Sequence, residues 1–172
     1  MHDPMRLPKG DLRLLDTPVA RRLLSGANLA RLAYVAIDGT PRVVPIGFVW
    51  DGTALVFATV ASTPKLAALR KRPAVALTVD VPGPPPEALS IRGVASIEEV
   101  DGIPAEYRAV QERFFGSGRA AGILASIESA GTPLARIVVT PKWVDLLDFE
   151  ARMPRDMARL EPPEIEPDRS EG

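Results

Sequence analysis

The stretch from Leu29 to Pro73 decides the fold, because it holds strand-like segments, two turn signals and the start of a helix. Its centre is the run Arg42-Val43-Val44-Pro45, followed by Thr59-Val60-Ala61-Ser62-Thr63-Pro64-Lys65. An arginine opens one strand, and a hydroxyl-rich turn closes the next strand and leads into a short basic helix. This pattern predicts a compact anion site backed by an apolar sheet.

The segments around this centre predict an antiparallel meander. Tight-turn signals stand at Asp38-Gly39 and Asp51-Gly52. Pro45 cannot donate a hydrogen bond to a ladder, so it is expected at a bulge or on an edge strand. The three strands are expected over Leu29 to Ile37, Arg42 to Trp50 and Ala54 to Thr59.

The helix after the meander begins where an anion is favoured. Ser62-Thr63 supplies a hydroxyl N-cap and Pro64 takes the first helical position of a helix that runs from Lys65 to Lys71. Free amides and the helix dipole attract an anion at that end. Lys65 there is unfavourable for the helix itself by about 0.3 to 1 kcal/mol, so its presence indicates a ligand.

Two arginines are further candidates for the anion site. Arginine recognises phosphate through charge-assisted, bidentate hydrogen bonds, which is the physical reason to include Arg42. Arg70 is the weaker candidate, because basic residues at a helix C-terminus are favourable without any ligand.

The rest of the chain predicts a mainly β fold with α-helices, an antiparallel Greek-key-like barrel of about six to seven strands with short flanking helices. Asp16-Thr17-Pro18 is typical of a helix start and Gly26 of its end. Two more helices are expected over Pro104 to Phe115 and Arg119 to Ala130. The remaining strands are expected over Ala74 to Val81, Leu89 to Ile97, Leu134 to Thr140 and Trp143 to Phe149.

The domain organisation follows from composition along the chain. Residues 1–15 mix proline, glycine and charges and predict a flexible arm. Residues 16–152 are predicted to form the barrel domain, and residues 153–172 an acidic, proline-rich tail that is predicted to be disordered.

The amino-acid composition of the chain argues against several classes of function. In 172 residues there are 21 basic and 22 acidic side chains, a balance that gives no reason to expect nucleic acid as a partner. There is no cysteine, and the single histidine is His2, so a thiolate nucleophile, a histidine-based triad and a metal site are not expected. Apolar runs are shorter than a membrane helix needs and no signal peptide is recognisable, which predicts a cytoplasmic protein without a membrane partner.

These motifs in this order resemble the pyridoxamine 5'-phosphate oxidase-like family, whose fold is the FMN-binding split β-barrel. The resemblance covers about residues 19–152 and implies that Arg42, Lys65 and the turn hydroxyls of Ser62 and Thr63 hold the cofactor phosphate, with Arg70 nearby. It also implies that strand backbone lies along the isoalloxazine ring, and that a homodimer binds two cofactors at its interface. The strand residues concerned are Val43, Val44, Pro45, Thr59 and Val60.

Three positions depart from the patterns of the family's branches. Pyridoxamine phosphate oxidases proper carry a basic residue where this chain has Pro64 and a lysine where it has Gly47. The branch that binds the deazaflavin coenzyme F-420 commonly carries an asparagine where this chain has Ala68. The resemblance implies an FMN-dependent oxidoreductase that transfers hydride to or from a small molecule. The alternatives are a deazaflavin-dependent reductase and a non-catalytic flavin carrier or sensor, and no residue is assigned to proton transfer.

Overall fold

The computed structural model describes residues 7–149, which form one antiparallel sheet with three helices. The strands are β1 Ala30–Val35, β2 Pro41–Ile46, β3 Val49–Trp50, β4 Leu55–Val60, β5 Ala74–Val81, β6 Glu87–Val100 and β7 Leu134–Asp148. The helices are α1 Pro18–Ser25, α2 Pro64–Lys71 and α3 Ala105–Ser129, and a 3₁₀ helix at Leu12–Asp16 precedes α1. The order across the seven-stranded sheet is β2-β1-β5-β6-β7-β4-β3.

The two end strands of this sheet are consecutive in the chain, and this makes the sheet curl. Ile46 ends β2 and Val49 begins β3, so three Cα steps of about 3.8 Å each limit their separation. In a flat seven-stranded sheet the outermost strands would stand roughly 29 Å apart. Within residues 7–149 no ladder joins β2 to β3 or to β4, so the sheet is curled but not closed. The prediction of an antiparallel split barrel is confirmed.

Two strand boundaries were predicted wrongly, in opposite directions. The strand expected over residues 42–50 is interrupted at Gly47-Phe48, where Phe48 turns into the core and is completely buried. The two strands expected on either side of Pro141 are one strand, β7. Opposite it, Arg92 pairs with Trp143 and Gly93 with Pro141, so Lys142 is an extra residue in a β-bulge. A bulge is where a strand tolerates proline.

The helix signals are confirmed at α1 and in both halves of α3. Thr17 accepts a hydrogen bond from the Ala20 amide, Pro18 opens α1 and Gly26 ends it. In α3 the two predicted helices meet at Gly116, whose φ of 75° and ψ of 159° are not helical, and a positive φ of this kind favours glycine. Gly116 therefore divides α3 into two helical segments, as predicted.

The core lies inside the curl of the sheet. Phe48 and Phe57 pack there with their ring centroids 6.1 Å apart, among the alternating aliphatic residues of β5 and β6. Leu7, Leu14 and Leu15 are also buried in this core, and the Gly10 amide donates to the Val144 carbonyl at 2.7 Å. Residues 7–15 thus differ from the flexible arm that their composition predicts, because their leucines pack against the barrel.

The predicted tail, residues 153–172, lies outside the described residues. None of the helices built by residues 7–149 is long and apolar enough to cross a membrane.

Candidate functional site

Lys65 occupies an unusual position for a cation. It lies in the first turn of α2, half-buried, with its Nζ 3.4 Å from the Thr59 hydroxyl at the end of β4. Within residues 7–149 no carboxylate forms an ion pair with it. Burial lowers the pKa of Lys65 from its ordinary value of 10.5, because desolvation penalises the charged form. A partly desolvated ammonium without an acid is suited to an anionic ligand.

Thr63 adds an unsatisfied hydroxyl at the same helix end. It stands at the N-cap of α2 as predicted, but its side chain makes no capping hydrogen bond, so the predicted hydroxyl cap is wrong. The Thr63 Oγ1 atom is buried and has no hydrogen-bond partner in the part of the chain that the structure describes. A buried polar group left in this state costs about 1 to 3 kcal/mol. Rotation of the side chain toward the helix end would let a bound oxyanion accept a hydrogen bond from it.

Arg42 lies on the edge strand β2, opposite Tyr34 of β1. Its guanidinium is about half exposed and donates to Asp38 Oδ2 at 3.1 Å across the hairpin. Hydrogen bonds from Thr40, followed by the charge of Arg42, lower the pKa of the Asp38 carboxyl. Exposed ion pairs of this kind contribute only about 0 to 1 kcal/mol. The contact with Asp38 is therefore weak enough for an anionic ligand to replace it.

Arg70 lies at the C-terminal end of α2, away from the predicted anion site at its N-terminus. It lies in the last turn of this helix and donates to Glu99 Oε1 of β6 at 2.9 Å, with both side chains largely exposed. The structure therefore does not bring Arg70 into contact with Lys65 or Thr63. Its position matches the ordinary role of a basic residue at a helix C-terminus.

The remaining predicted residues lie on β2, in the turn before α2 and at the end of β4. Val43 and Pro45 are exposed on one face of β2 and Val44 is half-buried on the other, while Ser62 is exposed in the turn before α2. Pro45 lies on an edge strand, as predicted. Thr59 and Val60 end β4, paired with Ala135 and Leu134 of β7.

Helix α3 contributes residues at the bend between β2 and β3 that were not predicted as site residues from the sequence. A Cβ atom on Gly47 would lie 2.3 Å from Val110 Cγ1, so α3 packs directly on the bend between β2 and β3. Arg113, one turn along from Val110, donates from one terminal nitrogen to the carbonyls of Phe48 at 3.0 Å and Gly26 at 3.4 Å. The i, i+3 spacing of Val110 and Arg113 on one helix face was the available signal.

Arg113 also lines an open cleft of about 610 Å³ between α1, β3 and α3. None of the predicted cofactor residues lines this cleft. It is therefore a second feature, separate from the N-terminus of α2.

A family profile described as pyridoxamine 5'-phosphate oxidase matches residues 17–148. The structure of an F-420 reductase is 29% identical, with a TM-score of 0.57 over 73% of this chain and 94% of that chain. No curated protein matches the chain.

Two more distant structures share the fold alone. General stress protein 26 from Bacillus anthracis is 18% identical, with a TM-score of 0.55 over 80% of this chain and 95% of that chain. A haem storage protein from Vibrio cholerae is 16% identical, with a TM-score of 0.55 over 75% of this chain and 92% of that chain. Proteins with quite different names therefore use this architecture, so the function has to be argued from the site.

Proposed function

The chain belongs to the pyridoxamine 5'-phosphate oxidase family, and from this premise we propose that it is an oxidoreductase that binds FMN by its phosphate at the N-terminus of α2. The observation that carries the proposal is Lys65, a half-buried cation without a carboxylate partner in the described chain. The unpartnered Thr63 hydroxyl beside it supports the same assignment. Both groups fit an anion that accepts hydrogen bonds.

Different residues would hold the phosphate and the ring of this cofactor. Lys65, Thr63 and Ser62 would hold the phosphate, and Arg42 would exchange its weak contact with Asp38 for the ligand. The backbone of β2 at residues 43–45 and the end of β4 at Thr59 would position the ring. Bound FMN supplies the hydride chemistry, while the protein contributes binding, orientation and exclusion of water.

A deazaflavin, coenzyme F-420, is the second candidate, because a structure at 29% identity is that of an F-420 reductase. Arg70 would then contact the longer polyanionic tail. Ala68, at the position where that branch commonly carries asparagine, is buried against the core and offers the ligand no polar group.

Absorption titration with FMN and with coenzyme F-420 tests the proposal and ranks the two cofactors. The protein should shift the visible spectrum of one of them at a stoichiometry of one per chain. Reoxidation of the bound, reduced cofactor by added small molecules or by oxygen then separates an enzyme from a carrier or sensor. If neither spectrum changes, the proposed cofactor site is wrong.

Cofactor affinity should decrease as the pH rises toward 10.5, the ordinary pKa of lysine. An anion favours the ammonium form, so affinity is lost as Lys65 deprotonates. Because burial lowers the pKa of Lys65 in the free protein, the decrease should begin at lower pH than an unperturbed lysine would give. The stability of the free protein should change in the opposite direction. Because the unfolded state binds the lysine proton more tightly than the folded state, the contribution of Lys65 to the free energy of unfolding rises as the pH rises through the same window.

The control for the pH profile is Lys65→Arg, whose guanidinium stays charged across this range. Titration of the ligand itself is common to both proteins, so the difference between their affinity profiles isolates Lys65. Identical profiles would show that Lys65 does not contact the anion.

We also propose that the protein is a homodimer in which a second copy covers the outer face of the sheet. The register places the exposed apolar side chains of β2, β1 and β5 next to one another on this face. Val43 is 65% exposed there and Val35 37%, beside Ala33 and the exposed Ala76. A contiguous apolar sheet surface of this kind is typical of an interaction site.

Light scattering should therefore give a mass of twice 18.5 kDa for the wild type. Val43→Glu places a charge in the proposed interface and should shift the mass to that of the monomer. Ser129→Glu, an exposed position at the end of α3 and off the sheet, is the matched control and should remain dimeric. A monomeric wild type, or a dimer unaffected by Val43→Glu, would contradict this interface.

A further inference from the structure

The open cleft between α1, β3 and α3 has the size and charge of a second ligand site. Its volume of about 610 Å³ lies within the range of small-molecule pockets, roughly 300 to 1,000 Å³. Three arginines line it, Arg21, Arg22 and Arg113, and Asp16 is the single acid among its described lining residues. The cleft therefore carries an excess of positive charge.

The three arginines differ in how far they are neutralised. Arg21 pairs with Asp16 at 3.2 Å, and Arg22 pairs with Glu87 of β6. Arg113 forms no ion pair with any residue in the range 7–149. Its charge is the one that the described chain leaves uncompensated in the cleft.

Arg113 is also held in place before any ligand arrives. One terminal nitrogen donates to the carbonyls of Phe48 and Gly26, which fixes the half-buried side chain against the β2–β3 bend. Its Nε and its other terminal nitrogen make no hydrogen bond within the described chain. A planar guanidinium with free donors matches a carboxylate bidentately, and a fixed side chain loses less entropy on binding.

The other walls of the cleft are apolar. Trp50 and Val49 of β3 contribute a half-buried aromatic ring and an aliphatic side chain, and Leu24 of α1 contributes a buried one. Aromatic rings pack favourably against a flat apolar group. We propose that this cleft binds a small aromatic carboxylate, with its acid on Arg113 and its ring against Trp50.

This site is distinct from the proposed phosphate site, which Lys65, Thr63 and Ser62 form at the N-terminus of α2. Trp50 pairs with Leu55 at the start of β4, whereas Thr59 lies four residues further along that strand. Four residues of extended strand span roughly 13 Å. The inference therefore does not depend on the identity of the cofactor or on its binding.

Isothermal titration calorimetry of the full chain with 2-naphthoate and with neutral 2-naphthamide tests the proposal. The carboxylate should bind at least about tenfold more tightly than the amide. Arg113→Gln should lower the affinity for the carboxylate by about 10- to 100-fold. Arg108→Gln is the matched control, since Arg108 lies on the same helix and does not line the cleft. It should leave the affinity unchanged.

The double variant Arg21→Gln, Arg22→Gln keeps the test decisive if Arg113→Gln fails to fold, because both residues are exposed. Reducing the positive potential of the cleft should weaken naphthoate binding by about threefold or more. Equal affinity for acid and amide, no binding at all, or an unchanged double variant would overturn the inference. So would loss of naphthoate binding in Lys65→Ala, because it would assign the ligand to the cofactor site.

Discussion

Replacing Lys65 with alanine is expected to lower the affinity for FMN by about 10- to 100-fold, which corresponds to the loss of a hydrogen bond to a charged group, about 1.5 to 3 kcal/mol. The reason is the position of the ammonium at the start of α2, half-buried and without a carboxylate partner among residues 7–149. The measurement is the absorption titration, made with coenzyme F-420 as well.

Two other basic residues supply the comparison for this variant. Arg70→Ala removes a cation that already pairs with Glu99, so FMN affinity should stay within about twofold of the wild type. Arg42→Ala should lower the affinity for FMN by about threefold to tenfold, because the ligand has to compete with Asp38 for this guanidinium. A Lys65→Ala protein that binds both cofactors as tightly as the wild type would remove the main support for the proposed site.

Replacing Thr63 with valine is expected to act in opposite directions on stability and on binding. Valine has nearly the shape of threonine without the buried, unpartnered hydroxyl. Without ligand, the free energy of unfolding should rise by about 1 kcal/mol or more, since an unsatisfied polar group is removed. The affinity for FMN should decrease by about fivefold to tenfold, because the phosphate loses a donor.

Urea denaturation of the ligand-free protein and the absorption titration measure these two effects. Ser62→Ala serves as the control for stability, because Ser62 is exposed and its hydroxyl interacts with solvent in the absence of ligand. A threonine with a purely structural role would lose stability on replacement and leave the affinity unchanged. That pattern would argue against Thr63 as a ligand of the phosphate.

Local signals in the sequence predicted much of the fold correctly. Thr17, Pro18 and Gly26 mark the ends of α1, and the alternation of Val75, Leu77 and Val79 identifies the buried face of β5. Both depend on neighbouring residues alone, through backbone preferences and side-chain period. The same is true of Lys65 at a helix N-terminus, because the mismatch between its charge and the helix dipole follows from the order of residues alone.

The errors arose where distant residues decide the local conformation. The interruption between β2 and β3 at Gly47 depends on Val110 of α3, more than sixty positions later in the chain. Pro141 remains inside β7 because Arg92 and Gly93 of β6 accommodate a bulge at Lys142. Neither partner can be recognised from the residues that flank Gly47 or Pro141.

By itself, the sequence determined the family, the antiparallel strands of the barrel, and the presence of a cation and hydroxyls at the start of α2. These features depend on residue type and short spacing, which the chain carries locally. Only the tertiary structure decided that Lys65 lacks an acidic partner in the described chain while Arg42 and Arg70 have one, and that Arg113 lines a second cleft. Burial and ion pairing depend on segments far apart in sequence, and the fold alone brings those segments together.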